Sequence, residues 1–242
     1  MSGLKFEDVG FSYGIIPCIK GFSCSFAAGE MAGLIGANGS GKSTLLRLGT
    51  GLLSPQTGVV KLEGQPVRAL RGKERAALLG YLPQSIDVPL PFRVGELVEM
   101  GRTAARREHL LSCQELLSSV GLDGYEQTPL SNISGGERRR AFIAMILAQG
   151  GKTLLLDEPL AGLDLRYQYE LLALLRELCR NHGLTIFLSL HELLLARNLD
   201  RLLVIREGQL LADGSPALIL TEKLIRQTFD LDPLFQIPNM IV

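Results

Sequence analysis

The 242-residue chain reads as an α/β protein with a parallel central sheet, an antiparallel β subdomain at its N-terminus and an inserted α-helical subdomain. Three observations predict this. The runs "MAGLIG" (31–36), "TLLLDE" (153–158) and "TIFLSL" (185–190) are almost continuously apolar up to their ends, as parallel strands covered on both faces are. Helical patterns follow the first two, "GKSTLLRLGTGLL" and "DLRYQYELLALLRELCRN", giving the alternation of βαβ units. The stretch from Ser85 to about Gly150 lacks strand signals.

Taken in order, the first thirty residues alternate polar and apolar ("LKFEDVGFSY", "GFSCSFAAGE"), which predicts half-buried antiparallel strands. "GVVKLEGQPV" from Gly58 reads likewise. Three helical pieces are expected in the insert: "VGELVEMGR", "REHLLSCQELLSSVGL" and "ERRRAFIAMILAQG". A late hairpin, "RLLVIREGQLLADG", turns at Glu207-Gly208, a pair suited to a tight two-residue loop. The expected organisation is a single domain over 1–242. Its core comes from about 1–84 and 151–220, its helical subdomain from about 85–150, and its tail from about 221–242.

An apolar fraction of 46% is ample for a buried core in a chain of this length. Basic and acidic residues are equal at 25 each and are spread out, so no nucleic-acid footprint is drawn. Apolar stretches such as "AFIAMILA" (141–148) fall far short of the roughly 20 residues that span a bilayer. The N-terminus "MSGLKFEDVG" has no basic segment followed by an apolar one, so no secretory signal is read and a cytosolic chain is expected. Cys18, Cys24, Cys113 and Cys179 form no CxxC pair or Cys/His cluster. They are expected as reduced thiols packed like small apolar groups, with neither disulfide nor structural zinc.

"GANGSGKST", Gly36 to Thr44, matches the phosphate-binding P-loop and lies where that mechanism requires, between an apolar strand and a helix. Gly36, Asn38, Gly39, Ser40, Gly41 and Thr44 frame a backbone that wraps phosphates at a helix N-terminus. Lys42 pairs with the outer phosphates and Ser43 can ligate magnesium. "LLLDEP" ends a buried strand in two carboxylates that would be costly to leave unpaired. Asp157 is placed to hold a magnesium shell, and Glu158 to orient or deprotonate an attacking water. Gln84 and His191 end two further strands, on the side where open α/β sheets bind ligands.

"SNISGGERRR" opens a second glycine-rich helix, in which Ser134 and Glu137 form a capping box around Gly135 and Gly136. The following Arg138 to Arg140 read first as a solvated helix face, with a role near nucleotide as the lesser reading.

In their order these residues resemble the ATP-binding cassette (ABC) ATPases over essentially the whole chain. That resemblance implies a P-loop NTPase core with a glutamine loop at Gln84 that also meets magnesium, a signature from Ile133 to Glu137 and a catalytic Asp157-Glu158 pair. It further implies an aspartate loop at Asp164, a switch histidine at His191 and an adenine-stacking aromatic at Tyr13. Ile133 stands where leucine is usual, "AGLD" replaces the common "SALD", and Glu192 stands where many members have aspartate. All three keep the backbone chemistry or the charge.

The family binds ATP and Mg2+ between two head-to-tail cassettes, each nucleotide lying between one subunit's P-loop and the other's Ser134, Gly135, Gly136 and Glu137. The resemblance thus implies a second cassette, a separate transmembrane permease, indirectly a substrate-binding protein, and a place at the cytoplasmic face of the membrane. "SIDVPLPFRVGELVEMGR" (85–102), the expected coupling surface, and "LIRQTFDLDP" near the C-terminus resemble the importer branch for ferric siderophores, haem and cobalamin. Zinc or manganese uptake and export are alternatives, because the cassette does not touch cargo. Arg102, Arg106 and Arg107 lie near the expected docking surface. A soluble cassette of DNA repair or the ribosome would carry two cassettes, a coiled-coil insertion or a basic face; a non-hydrolysing relative would lack Glu158 or His191.

Overall fold

The computed structural model describes residues 3–85, 91–104 and 111–232. The chain begins with antiparallel strands β1 (Leu4–Tyr13) and β2 (Ile16–Ser25), then enters β3 (Met31–Ile35) and helix α1 (Lys42–Thr50). Strands β4 (Thr57–Leu62) and β5 (Gln65–Pro66), helix α2 (Gly72–Ala76) and strand β6 (Leu79–Leu82) follow. Next come α3 (Val94–Gly101), α4 (Cys113–Ser119) and α5 (Gly135–Ala148). The core resumes with β7 (Thr153–Leu156), α6 (Leu165–His182), β8 (Thr185–Ser189) and α7 (Leu193–Ala196). Hairpin β9 (Arg201–Arg206) and β10 (Gln209–Gly214) and helices α8 (Pro216–Ile219) and α9 (Glu222–Phe229) complete the described chain.

Two sheets result, a four-stranded one in the order β2-β1-β4-β5 and a six-stranded one in the order β10-β9-β3-β8-β7-β6. The run from β9 to β6 is parallel, as the continuously apolar segments require. Alternate residues of each central strand enter opposite cores. Leu154, Leu156, Ile186, Leu188, Leu202 and Val204 pack with residues of α3 to α6. Leu155, Phe187, Leu203 and Ile205 pack with α1 and the phenylalanines of the first sheet, Phe6, Phe22 and Phe26. Both faces are therefore covered, which is why these strands show no polar alternation.

The late hairpin turns where expected, with Glu207 at φ 49 and Gly208 at φ 79. Its destination is new: β9 runs parallel beside β3, pairing Ala32 with Arg201 and Ile35 with Val204. The turn also docks on β2, since Lys20 N donates to the Gly208 carbonyl at 2.9 Å. A Cβ at Gly208 would stand 2.1 Å from the Cys18 carbonyl oxygen, so only glycine fits that contact.

In the stretch expected to be helical, α3 and α5 match their predicted segments closely, whereas α4 is shorter than its pattern and gives way to a turn through Val120–Gly121. The N-terminal part of that pattern, with Arg106 and Arg107, lies outside the described residues, as do 86–90 of the expected coupling surface and the end of "LIRQTFDLDP". Cys18, Cys24, Cys113 and Cys179 are free thiols. Cys24 and Cys179 are buried, and burial raises both thiols, Cys179 to about 12. Among the described residues no helix is long and apolar enough to cross a membrane.

Candidate active site

The central strands deliver every predicted core-site group to one end of the sheet. β3 is buried along its whole length and releases the chain into the loop at Gly36. A Cβ at Gly36 would lie 2.3 Å from the Ile205 carbonyl oxygen and 2.6 Å from Ser40 Oγ, so the loop can leave the sheet this tightly only with glycine there. Asn38 and Gly39 form the exposed crest, and Gly41 caps α1 in the left-handed region at φ 107.

The Lys42 side chain folds back under this loop, its Nζ donating to the Gly36 carbonyl at 2.9 Å and the Ala37 carbonyl at 3.2 Å. It is only 5% exposed. Burial lowers its pKa, while the charges of Glu158 and Asp157 act in the opposite direction. Ser40 Oγ is buried without a hydrogen-bond partner.

β7 places Asp157 and Glu158 beside the loop. Asp157 is 1% exposed, and its Oδ1 accepts hydrogen bonds from Ser43 Oγ at 3.1 Å and Ser189 Oγ at 2.8 Å. Its Oδ2 is buried and has no partner. Glu158 sits at φ 48, in the left-handed region. Ser189 Oγ accepts its backbone N–H at 2.8 Å. Its carboxylate is held from both sides: Gln84 Nε2 donates to Oε2 at 2.6 Å, and His191 Nε2 lies 2.5 Å from Oε1. The expectation that protic or cationic groups must meet the two carboxylates is thus answered mainly by hydroxyl, amide and imidazole groups.

Arg139 requires a correction. It does not belong to a solvated face, being only 9% exposed. Its guanidinium donates to the carbonyls of Glu158 at 3.2 Å and Ala161 at 3.0 Å, and also to that of Pro159. A 3.5 Å contact to the Gln84 carbonyl ties the same group to the segment that follows β6. Arg139 therefore links α5 to the segment that carries Glu158. Arg138 also bonds inward, to the Leu130 carbonyl at 3.2 Å.

Sequence reasoning passed over Arg139 because a basic run offers no sign of which member turns inward. Ser189 belongs to none of the quoted motifs either, although a serine inside the apolar run of "TIFLSL" is a readable signal.

Tyr13 ends β1 next to the P-loop, its hydroxyl 3.3 Å from Thr44 Oγ1. The ring meets Phe11 edge-on at 4.9 Å and remains 47% exposed. Asp164 begins α6 as an exposed residue whose side chain makes no capping hydrogen bond.

Ser134 and Glu137 form the predicted capping box at the start of α5. Glu137 N donates to Ser134 Oγ at 3.3 Å and Ser134 N to Glu137 Oε2 at 2.8 Å. Tyr125 donates its hydroxyl to Glu137 Oε1 at 2.7 Å, and this bond, followed by those from Ser134, holds the Glu137 carboxyl below its ordinary pKa. Among the described residues nothing gives the two glycines a steric reason. A Cβ at Gly135 would meet nothing within 4 Å, and one at Gly136 would make only an ordinary 3.4 Å contact with Leu163. No carboxylate of the Asp157 cluster bonds to this helix start.

Among the described residues no three His, Cys, Asp or Glu side chains converge as a metal cage. The unpartnered Asp157 Oδ2 beside Ser43 nevertheless suits a hard divalent cation that takes its remaining ligands from phosphate and water, as magnesium does. The donor set fits Mg2+ with nucleotide and would not hold the ion alone.

Residues 19–161 match the ABC transporter family. The chain is 38% identical to the hemin import ATP-binding protein of Rhodopseudomonas palustris strain BisB18, over 96% of this chain and 90% of that one. It is 41% identical to the petrobactin import ATP-binding protein of Bacillus anthracis, over 85% and 78%. The structure of cbiO1 from Clostridium perfringens, part of the ABC transporter complex cbiONQ, superposes with a TM-score of 0.82 at 27% identity, covering 93% of both chains. Motif order, the strand ends that gather those motifs and these likenesses agree: the chain belongs to the ABC transporter family, as an ATP-binding, ATP-hydrolysing subunit.

Proposed function

We propose that this chain powers an importer of iron chelates such as ferric siderophores or haem, working as one of a pair of identical cassettes on separate transmembrane permease subunits. The reading of paired cassettes rests on one observation above the others. Among the described residues two helix starts carry more than one glycine, α1 with Gly39 and Gly41 and α5 with Gly135 and Gly136, and of the two only α1 starts beside the carboxylate pair. α5 is capped and complete within its own chain, yet it keeps two glycines whose neighbours leave room for side chains. A backbone kept bare toward open space suits close approach by something outside the chain, here a neighbouring cassette's nucleotide.

In this reading Tyr13 stacks on adenine and the loop from Gly36 to Thr44 wraps the phosphates. Lys42 neutralises the outer phosphates through the ammonium now held by two carbonyls. Ser43 and Asp157 hold Mg2+, with Gln84 at its edge; the bound ion supplies charge neutralisation on the phosphates. Glu158, fixed between Gln84 and His191, orients or deprotonates the attacking water. His191 positions Glu158. Ser134 to Glu137 and Asp164 complete the neighbour's site. Closure on ATP and reopening after hydrolysis drive the permease, which places the chain at the cytoplasmic face of the membrane. The import direction and cargo class draw support from relatives named for hemin and petrobactin import.

The paired-cassette reading is tested at Ser134. Ser134→Arg removes the cap and projects a long cation from the bare face. Nucleotide affinity of the isolated chain should stay within about twofold, and thermal stability should fall by about 1 kcal/mol, the usual cost of losing a cap. ATP-dependent dimerisation and turnover should be lost. Wild-type dimerisation in this variant, followed by sedimentation with and without ATP, would remove the basis for the composite site. Cargo is tested by reconstituting the chain with its permease and measuring which binding protein and iron chelate stimulate ATP hydrolysis.

A further inference from the structure

Besides Ser40 Oγ, two buried polar atoms near the phosphate loop have no partner at hydrogen-bond distance, and they belong to neighbouring residues: the Tyr81 hydroxyl and Asp157 Oδ2. Their adjacency follows from strand register. β6 pairs with β7 in parallel, Tyr81 opposite Leu155. Paired residues point to the same face of a sheet, and so does the residue two positions further along a strand. Tyr81 and Asp157 therefore share the face covered by α1, which supplies Ser43 and Arg47. Buried groups left unpaired call for a functional reason, and here one group is a donor and the other an acceptor.

We infer that Tyr81 is a positioning residue of the magnesium site, its hydroxyl donating to Asp157 Oδ2 once nucleotide and Mg2+ are bound and fixing the direction of that carboxylate. The lone pairs accommodate this. An ionised carboxylate offers about four acceptor positions. Two on Oδ1 serve Ser43 and Ser189, leaving Oδ2 one for Tyr81 and one toward the metal's shell. Partners of this kind orient metal-binding groups and typically change metal affinity by about 10- to 100-fold when removed. Arg47, on the α1 side, faces the same Tyr81 hydroxyl, and that proximity raises its own pKa.

The inference rests on the assignment of Asp157 to the magnesium shell, so its test carries Asp157→Asn alongside Tyr81→Phe. Phenylalanine keeps the packed ring and removes only the hydroxyl. Binding of a fluorescent ATP analogue is titrated in EDTA and at graded Mg2+, with Mn2+ as a second probe read by electron paramagnetic resonance. Tyr81→Phe should leave the affinity in EDTA unchanged and raise the Mg2+ and Mn2+ concentrations for half-maximal effect by about 10-fold, the low end of that range. An unchanged metal requirement in Tyr81→Phe with a raised one in Asp157→Asn overturns the role of Tyr81 alone. An unchanged requirement in both overturns the Asp157 assignment, and Tyr81 with it. An equal loss of affinity with and without metal marks Tyr81 as a packing residue and likewise overturns the inference.

Discussion

Lys42→Ala is expected to lower ATP turnover by at least about 10²- to 10³-fold, the usual loss when one preorganised group that stabilises developing charge is removed. The fold should remain. The ammonium is buried against the Gly36 and Ala37 carbonyls, a position that desolvates it and lowers its pKa. Such a cation gives little net stability and serves best where phosphate charge arrives. Removing it leaves two carbonyls without this donor, a cost of about 1 to 3 kcal/mol for a buried group left unpaired, which relief of the buried charge partly offsets. Nucleotide binding should weaken together with turnover. Steady-state hydrolysis and equilibrium binding measured on the same preparation check both halves, and unchanged hydrolysis would overturn the P-loop assignment.

Glu158→Gln should separate binding from chemistry. Glutamine preserves the shape of the side chain and can still meet Gln84 and His191, so ATP affinity should remain close to wild type. Hydrolysis should fall by about 10²- to 10⁴-fold, the range attributed to a positioned general base. A site that binds but cannot hydrolyse should hold the closed pair, so an ATP-dependent dimer should accumulate on a sizing column at high protein concentration. A variant that hydrolyses ATP at the wild-type rate would relieve Glu158 of its role. One that hydrolyses slowly yet stays monomeric would count against the sandwich while leaving the chemistry intact.

These two residues also show what was legible in the sequence. Both stand in local patterns, a loop of fixed spacing after an apolar strand and a carboxylate pair at the end of another, and local spacing survives into the fold. The parallel strands were readable for the same reason, since burial on both faces leaves an unbroken apolar run. What escaped was set by distant neighbours. The β9–β10 hairpin was visible as a hairpin, but its attachment to β3 depends on residues some 170 positions earlier, such as Ala32 opposite Arg201. Arg139 looked like Arg138 and Arg140 until the turn at Glu158 to Ala161 supplied carbonyls on one side only. The glycines of the signature were readable as part of a cap, and their lack of a steric cause could emerge only once the surrounding space was mapped.

The backbone of Glu158 carries a cost of its own. A glutamate at φ 48 is held there by Ser189 at its N–H and Arg139 at its carbonyl, against a steric preference of roughly 1 to 2 kcal/mol. Glycine would be relieved of that clash but would forfeit the hydrogen bonds from Gln84 and His191, and a bond to a charged group is worth about 1.5 to 3 kcal/mol. The carboxylate thus compensates for the strain that its own position imposes. Selection for heat resistance alone gives no reason to discard it, and at residue 158 stability and the proposed chemistry lean on the same side chain.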